Sequence, residues 1–391
     1  MEKKLNIDHI FIQIIYFMTA ALTYAFGTYT MLSRGVSSST IGILIAIGDL
    51  LAISLQAVIS NFLDKSNKVN TVQMTLIISF ALLLVSIVNY ILNDPSIVLY
   101  ISYIFYQAFV AILMTLFNQL SSSFANAGLD INFGIARAFG SLSFALTCFL
   151  YGYISESLGY KTVTASLILF QVLIIIVLVI TNKHFDIKES QRAKLANIPF
   201  KEFISNHKLF IVTCIGYALI MCGYNASENF MLPIIENVGG TNLDASIVSG
   251  LKAIFEIPII YNYSKIEKRI KPKTIFLISG ISFTIKAAVL YFATSTLPIY
   301  ISQALQATSF AFLLPATISY IDKIMSQKEL SRGHSMQSIL QTIAGMSFNS
   351  LAGNIIDNSG VNMFCLVSTI TTLVGTIIIT ASIKNSESPI N

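Results

Sequence analysis

Six ionisable side chains stand inside long apolar runs of this sequence: Asp49, Arg137, Glu228, Lys252, Glu256 and Lys286. Three acids and three bases balance if all are charged. A charge at the centre of a membrane helix costs about 2.5–3.5 kcal/mol on insertion scales, so such residues normally face a partner or a wet cavity. Lys252 and Glu256 are four apart, share a helix face and can pair there. A carboxylate whose basic neighbour comes and goes with conformation takes up and releases a proton as it does so. Glu256, Asp49 and Glu228 are the acids deep enough for that role, and Lys252, Lys286 or Arg137 are the bases that would tune them. None of the four histidines, His9, His184, His207 and His334, falls in the middle of an apolar run, so no histidine relay is expected.

Carboxamides extend the polar set. Asp49 and Gln56 are seven apart, Gln303 and Gln306 three apart, and Gln337 and Gln341 four apart, each spacing holding one helical face. Two readings fit these stripes: a cavity lining, or hydrogen bonding between helices with no ligand. The four cysteines, Cys148, Cys214, Cys222 and Cys365, lie within apolar runs without a CxxC spacing, which suits packing rather than disulfides or metal ligands. No nucleophile–base constellation or metal motif is present. The sequence therefore predicts no enzyme, no cofactor and no metal.

The elements that must position these residues follow from composition. Apolar types make up 54% of the 391 residues, charged types 11%, and the mean hydropathy is +0.73. Soluble chains carry about 25% charged residues, so an ordinary water-solvated surface is excluded. Twelve runs approach or exceed the length of a span: 9–33, 39–63, 70–93, 97–122, 132–155, 162–182, 209–231, 246–264, 274–294, 297–321, 334–356 and 361–383. A span needs about 20 apolar residues. These runs are continuous rather than alternating, so they predict helices and an all-α integral membrane protein. The first run is too long for the apolar core of a signal peptide.

Basic residues set the expected orientation. Nineteen fall in one set of loops, including five in the stretch SKIEKRIKPK, against only Arg34 and Lys161 in the other set. Both termini are thus expected to be cytoplasmic. We read the excess charge as an orientation signal, not as a nucleic-acid or lipid-headgroup site. The polar segment 184–207 reads as a cytoplasmic linker with a short surface helix, between six-helix bundles at 1–183 and 208–391. A repeat supports duplication: GYISESLG at 152–159 and GNIIDNSG at 353–360 place Gly, an acid four residues on, and Gly three later. Two parallel six-helix halves are the plan of the major facilitator superfamily, which works by alternating access.

The stretch NFGIARAFGSLSFAL, 132–146, resembles the span-five region of lactose permease and the oligosaccharide/proton symporter group. Phe133-Gly134, Arg137 and Phe139-Gly140 carry the likeness. Gln56 and Asp64-Lys65 match the end of span two. CGYNASENF supplies a tyrosine at Tyr224 and an acid at Glu228, and LAGNIIDNSG matches the end of span eleven. The resemblance implies that Arg137 binds substrate hydroxyls and that an aromatic at Phe144 stacks on a ring. It also implies that Glu256 joins substrate binding to proton coupling, and that Lys286 stands in for a span-nine arginine. The chain departs from the group at Gln119 (a span-four acid there), at Gln306 and Ser309 (histidine and glutamate), at Gln303 and Gln341 (lysines) and at Asn225 (aspartate).

The expectation is a monomeric, proton-coupled secondary transporter of the plasma membrane that moves a small polar solute such as a sugar, glycoside or nucleoside-like molecule. Substrate would meet Arg137, Asp49, Phe144, Gln119, Glu256, Lys252, Tyr224, Gln306 and Gln341. Asp49 is the expected partner of Arg137, and Lys252 or Lys286 that of Glu228. Protons, the solute and the bilayer are the expected partners, and nucleic acid is not one. An exporter of drugs or metabolites, an uncoupled facilitator and a non-transporting sensor are alternatives of different kinds.

Overall fold

The computed structural model describes residues 2–65, 69–126, 133–184, 200–326 and 329–383. Among them every regular element is helical. The first half supplies α1 (Glu2–Tyr24), α2 (Gly27–Leu32), α3 (Ser38–Lys65), α4 (Thr71–Ile91), α5 (Ile97–Asn126), α6 (Phe133–Leu158) and α7 (Tyr160–His184). The second supplies α8 (Phe200–Asn206), α9 (Lys208–Asn229), α10 (Met231–Asn237), α11 (Asn242–Glu267), α12 (Pro272–Phe292) and α13 (Thr296–Ser302). After a 3₁₀ turn at Gln303–Ala307 come α14 (Phe310–Ile324), α15 (Leu330–Ser359) and α16 (Val361–Ser382). Most of the linker and Asn132 lie outside the described residues.

Ten helical stretches among the described residues are both long and apolar enough to cross a membrane. The 21-residue α4 rises about 1.5 Å per residue, matching a hydrocarbon core of about 30 Å. The remaining two of the twelve expected spans are α11 and α15, with 26 and 30 residues. They are long enough but more polar, because α11 carries Lys252 and Glu256 and α15 carries Gln337, Gln341 and Asn349. Large exposed apolar side chains such as Leu84, Leu150, Leu173, Ile281 and Ile377 suit a surface that meets lipid rather than water.

The chain divides into two compact units, Met1–Arg192 with Thr241–Ala253, and Ala193–Gly240 with Ile254–Asn391. In the first, α1 packs on α6 and α7, and α5 packs on α3 and α4. A Cβ at Gly140 of α6 would lie 2.6 Å from the Phe17 ring of α1, so the close approach requires glycine. The Gly-x-x-x-Glu end of α6 docks the start of α11. Ser155 Oγ accepts from Asn242 Nδ2 at 2.7 Å, and Glu156 Oε2 accepts from the Leu243 amide at 3.0 Å. In the second unit, α9 packs on α15 and α16, and α12 on α14 and α16.

Duplication shows in details that hydropathy cannot carry. The first and seventh spans each break near their ends, at Phe26 and Phe230, both fully buried. Each break leads into a short helix that ends near a left-handed glycine, Gly35 (φ 79°) or Gly239 (φ 82°). The repeated GxxxD/ExxG segments end on left-handed Gly159 and Gly360, which stop α6 and α15 as glycine does at a helix C-terminus.

Three runs read as continuous are interrupted in the structure. In 209–231 the cause is Pro233, which has no amide for the Asn229 carbonyl and ends α9 there. In 9–33 the break sets Gly27 against α5, where a Cβ would be 3.0 Å from the Tyr103 hydroxyl. In 297–321 the Ser302 hydroxyl and the Gln303 amide both bond the Ile299 carbonyl, at 2.7 and 3.0 Å. They compete with the backbone for that acceptor, and the chain tightens into the 3₁₀ turn.

Candidate functional site

The second unit gathers five predicted residues into one network. Two turns of α9 present Tyr224 and Glu228, α11 presents Glu256, α12 presents Lys286, and the 3₁₀ turn presents Gln306. Lys286 is only 3% exposed, so its ammonium must be satisfied by protein. It donates to Gln306 Oε1 at 2.6 Å and lies 3.5 Å from Glu228 Oε1. It also lies 5.1 Å from the centre of the Tyr224 ring, where the π face attracts a cation. Of the two bases proposed for Glu228, the structure brings Lys286 to it.

Gln306 orders the rest. With its carbonyl taken by Lys286, its amide group points the other way and donates to Glu256 Oε1 at 2.6 Å and to the Tyr224 hydroxyl at 2.8 Å. Tyr224 is wedged edge-on against Phe283 at 5.1 Å and tilted against Phe310 at 5.9 Å. Tyr224, Glu228, Phe283 and Lys286 line a small cavity with Ser227 and Thr372. Two carboxylates, Glu228 and Glu256, thus meet one ammonium through a neutral carboxamide. Such a group offers a site for a proton and acceptors for the hydrogen-bond donors of a solute.

The first unit holds the other half of the predicted set, arranged differently from expectation. The Arg137 guanidinium lies 4.4 Å over the Phe17 ring and its Nη1 is 3.7 Å from Met114 Sδ. Asp49, half-buried on α3, makes no ion pair among the described residues, so the structure does not bring it to Arg137. Lys252 lies 6.0 Å from the centre of the Phe144 ring. Gln119 is half-buried on α5. Gln56 reaches the Ala111 carbonyl of α5 at 3.3 Å.

The remaining carboxamides serve the helices. Gln337 donates to Gln341 at 2.9 Å along α15, and Gln303 is spent on its own broken span. Asn225 is half-buried on α9, and Ser309 is fully buried beside the 3₁₀ turn. All four cysteines are buried and unbridged, and the described residues hold no cluster of three metal-ligating side chains.

One arrangement escaped the sequence reading. Arg34, counted as a loop charge, is buried, with Nη1 on Asn89 Oδ1 at 3.0 Å and Nη2 on the Asn89 carbonyl at 2.8 Å. Its guanidinium stacks 4.9 Å over Tyr160. It clamps the α2–α3 turn to α4 and the start of α7. The available signal was its isolation in the base-poor set of loops.

Comparison with known proteins agrees with this architecture. The chain is 22% identical over 347 residues to the uncharacterized transporter YwbF of Bacillus subtilis (strain 168), covering 86% of this chain and 83% of that one. Its fold is similar to that of a mutant of the nucleoside transporter NupG, with a TM-score of 0.81, 14% identity, and coverage of 97% of this chain and 100% of that chain. It is also similar to the peptide transporter POT in complex with sulfate, with a TM-score of 0.76, 13% identity, and coverage of 97% and 94%. Residues 9–366 match the model of the MFS_1 like family. With a match across nearly the whole chain and helices arranged as above, the chain belongs to the MFS_1 like family and is a multi-pass membrane transporter of the major facilitator fold.

Proposed function

We propose that this transporter is a proton-coupled symporter of the plasma membrane that moves a small polar solute, a sugar, glycoside or nucleoside-like molecule, with both termini in the cytoplasm. The observation that carries the reading is the buried Lys286 held between Glu228 and Gln306, with Gln306 donating to Glu256. Two carboxylates sharing one ammonium, one of them reached through a rotatable carboxamide, make a place where proton and solute exchange for each other. Arg137 supplies charged donors for solute hydroxyls, and Tyr224 and Phe144 supply ring faces. That NupG is a nucleoside transporter adds nucleosides to the solutes to be tried.

Protein reconstituted in liposomes tests this. Counterflow of labelled uridine, adenosine, lactose and melibiose identifies the solute class. An imposed gradient, acidic outside, is then expected to drive accumulation above equilibrium, and a protonophore to abolish it. Glu256→Gln is expected to remove the gradient response. Arg137→Ala is expected to slow counterflow at least about tenfold, the value of a hydrogen bond to a charged group. Equilibration that ignores the gradient would instead select an uncoupled facilitator, a reading favoured by neutral Gln306 and Ser309 where the symporter group has a titratable pair.

A further inference from the structure

Orientation explains how many basic residues the chain carries on one side, but not why five crowd a single turn. Lys265, Lys268, Arg269, Lys271 and Lys273 are all exposed within nine residues joining α11 to α12. The one acid among them, Glu267, is turned inward and held by Lys323 and Ser319. Lys265 leans on Asn262 at 3.2 Å. Lys268, Arg269, Lys271 and Lys273 meet no acid among the described residues.

The same turn in the first unit is built the other way. There α4 begins with a complete capping box: Asn70 accepts from the Gln73 amide at 2.8 Å, and Gln73 returns a bond to the Asn70 amide at 3.2 Å. The corresponding α12 has Lys271 at its N-cap with no side-chain cap, and no acid in its first turn. Cations at a helix N-terminus oppose the helix dipole, so this turn concentrates positive charge, and Lys268, Arg269, Lys271 and Lys273 do not lose theirs to any acid among the described residues.

Immediately below, α12 exposes Leu277, Ile281 and Ile285 at intervals of four, and Lys273 stands one turn above Leu277 on that stripe. Tyr261, within two turns of the end of α11, is 82% exposed, an aromatic near the helix end, where membrane proteins favour one. A cationic head above an apolar stripe matches a phospholipid, with phosphate on the bases and acyl chains along α12. We propose that the α11–α12 turn is a binding surface for the headgroup of an anionic phospholipid. Basic residues at a membrane surface each strengthen such attraction several-fold.

The full chain, purified in mild detergent and examined by native mass spectrometry, tests this with dioleoylphosphatidylglycerol, dioleoylphosphatidylcholine and inorganic phosphate. Phosphatidylglycerol adducts are expected to exceed phosphatidylcholine adducts. The combined variant Lys268→Gln, Arg269→Gln, Lys271→Gln, Lys273→Gln is expected to cut that excess at least about tenfold. Lys271→Gln with Lys273→Gln alone, a milder change should the fourfold variant fail to fold, is expected to cut it in part. Lys65→Gln with Lys68→Gln, in the first unit, is expected to leave it intact. Equal adducts of the two lipids, an excess that survives both variants, or adducts displaced by millimolar phosphate would each overturn the proposal.

Discussion

Lys286 sets the energetics of the second unit. Removing one partner of a buried ion pair strands the other, a loss of about 3–5 kcal/mol. Lys286→Met is therefore expected to lower thermal stability in detergent strongly, and adding Glu228→Gln is expected to restore most of it; a double variant no better than the single would show that the 3.5 Å pair is not what holds Lys286. A second residue-scale prediction concerns Glu329, outside the spans. Hydrogen bonds from Ser326 at 2.6 Å and His207 at 3.1 Å hold its carboxyl below the usual carboxylate range. A depressed folded-state value stabilises above the unfolded value of about 4.3 and is lost as pH falls through the folded value. Wild type should thus melt above Glu329→Gln at pH 7, with the gap closing in acid below about pH 4; a gap that widens there would refute the pairing. The charged residues were legible in sequence because charge is rare in apolar runs. Of their partners only that of Glu228 was named, as one of two bases; Glu256, Lys286 and Gln306 are brought together only by the crossing of three elements, and Arg137 turned to Phe17 rather than to Asp49.

Helices of the second unit meet through missing side chains. A Cβ at Gly216 would fall 2.7 Å from the Ile379 amide and 3.0 Å from the Gly375 carbonyl, so α9 and α16 touch backbone to backbone, as small residues allow in membranes. Gly216→Ala is expected to cost about 1–3 kcal/mol by overpacking. Gly345→Ala, in the middle of α15 with nothing within 4 Å, is expected to be neutral or to add about 0.4–1 kcal/mol. Equal melting shifts for the two would show that the crossing is looser than these distances. Runs of apolar residues gave away where helices lie, because every backbone group in lipid must bond within its own helix. They did not reveal the 3₁₀ turn that carries Gln306, because it depends on side chains of Ser302 and Gln303 competing for one carbonyl. The equivalent α5 runs unbroken over 30 residues, so this departure belongs to one half only.

At the scale of the molecule, duplication is the frame and the two halves differ within it. The frame was visible in the paired GxxxD/ExxG segments, since a helix end that needs a left-handed glycine leaves a fixed mark in sequence. The differences are a broken tenth span, an α12 start without a side-chain cap among its cations, and the Glu228–Lys286–Gln306–Glu256 network of the second unit. They were hidden because each is a local exchange of one polar residue for another, which hydropathy does not register. The four cysteines, sealed in the core, have a practical reach: a thiol introduced at any exposed position would be the one that aqueous maleimides find. With no tryptophan in the chain, a single engineered indole would likewise report alone. The wild-type protein is already a blank background, on which one substitution near either end decides which side of the bilayer the termini face and one in each unit times their movement.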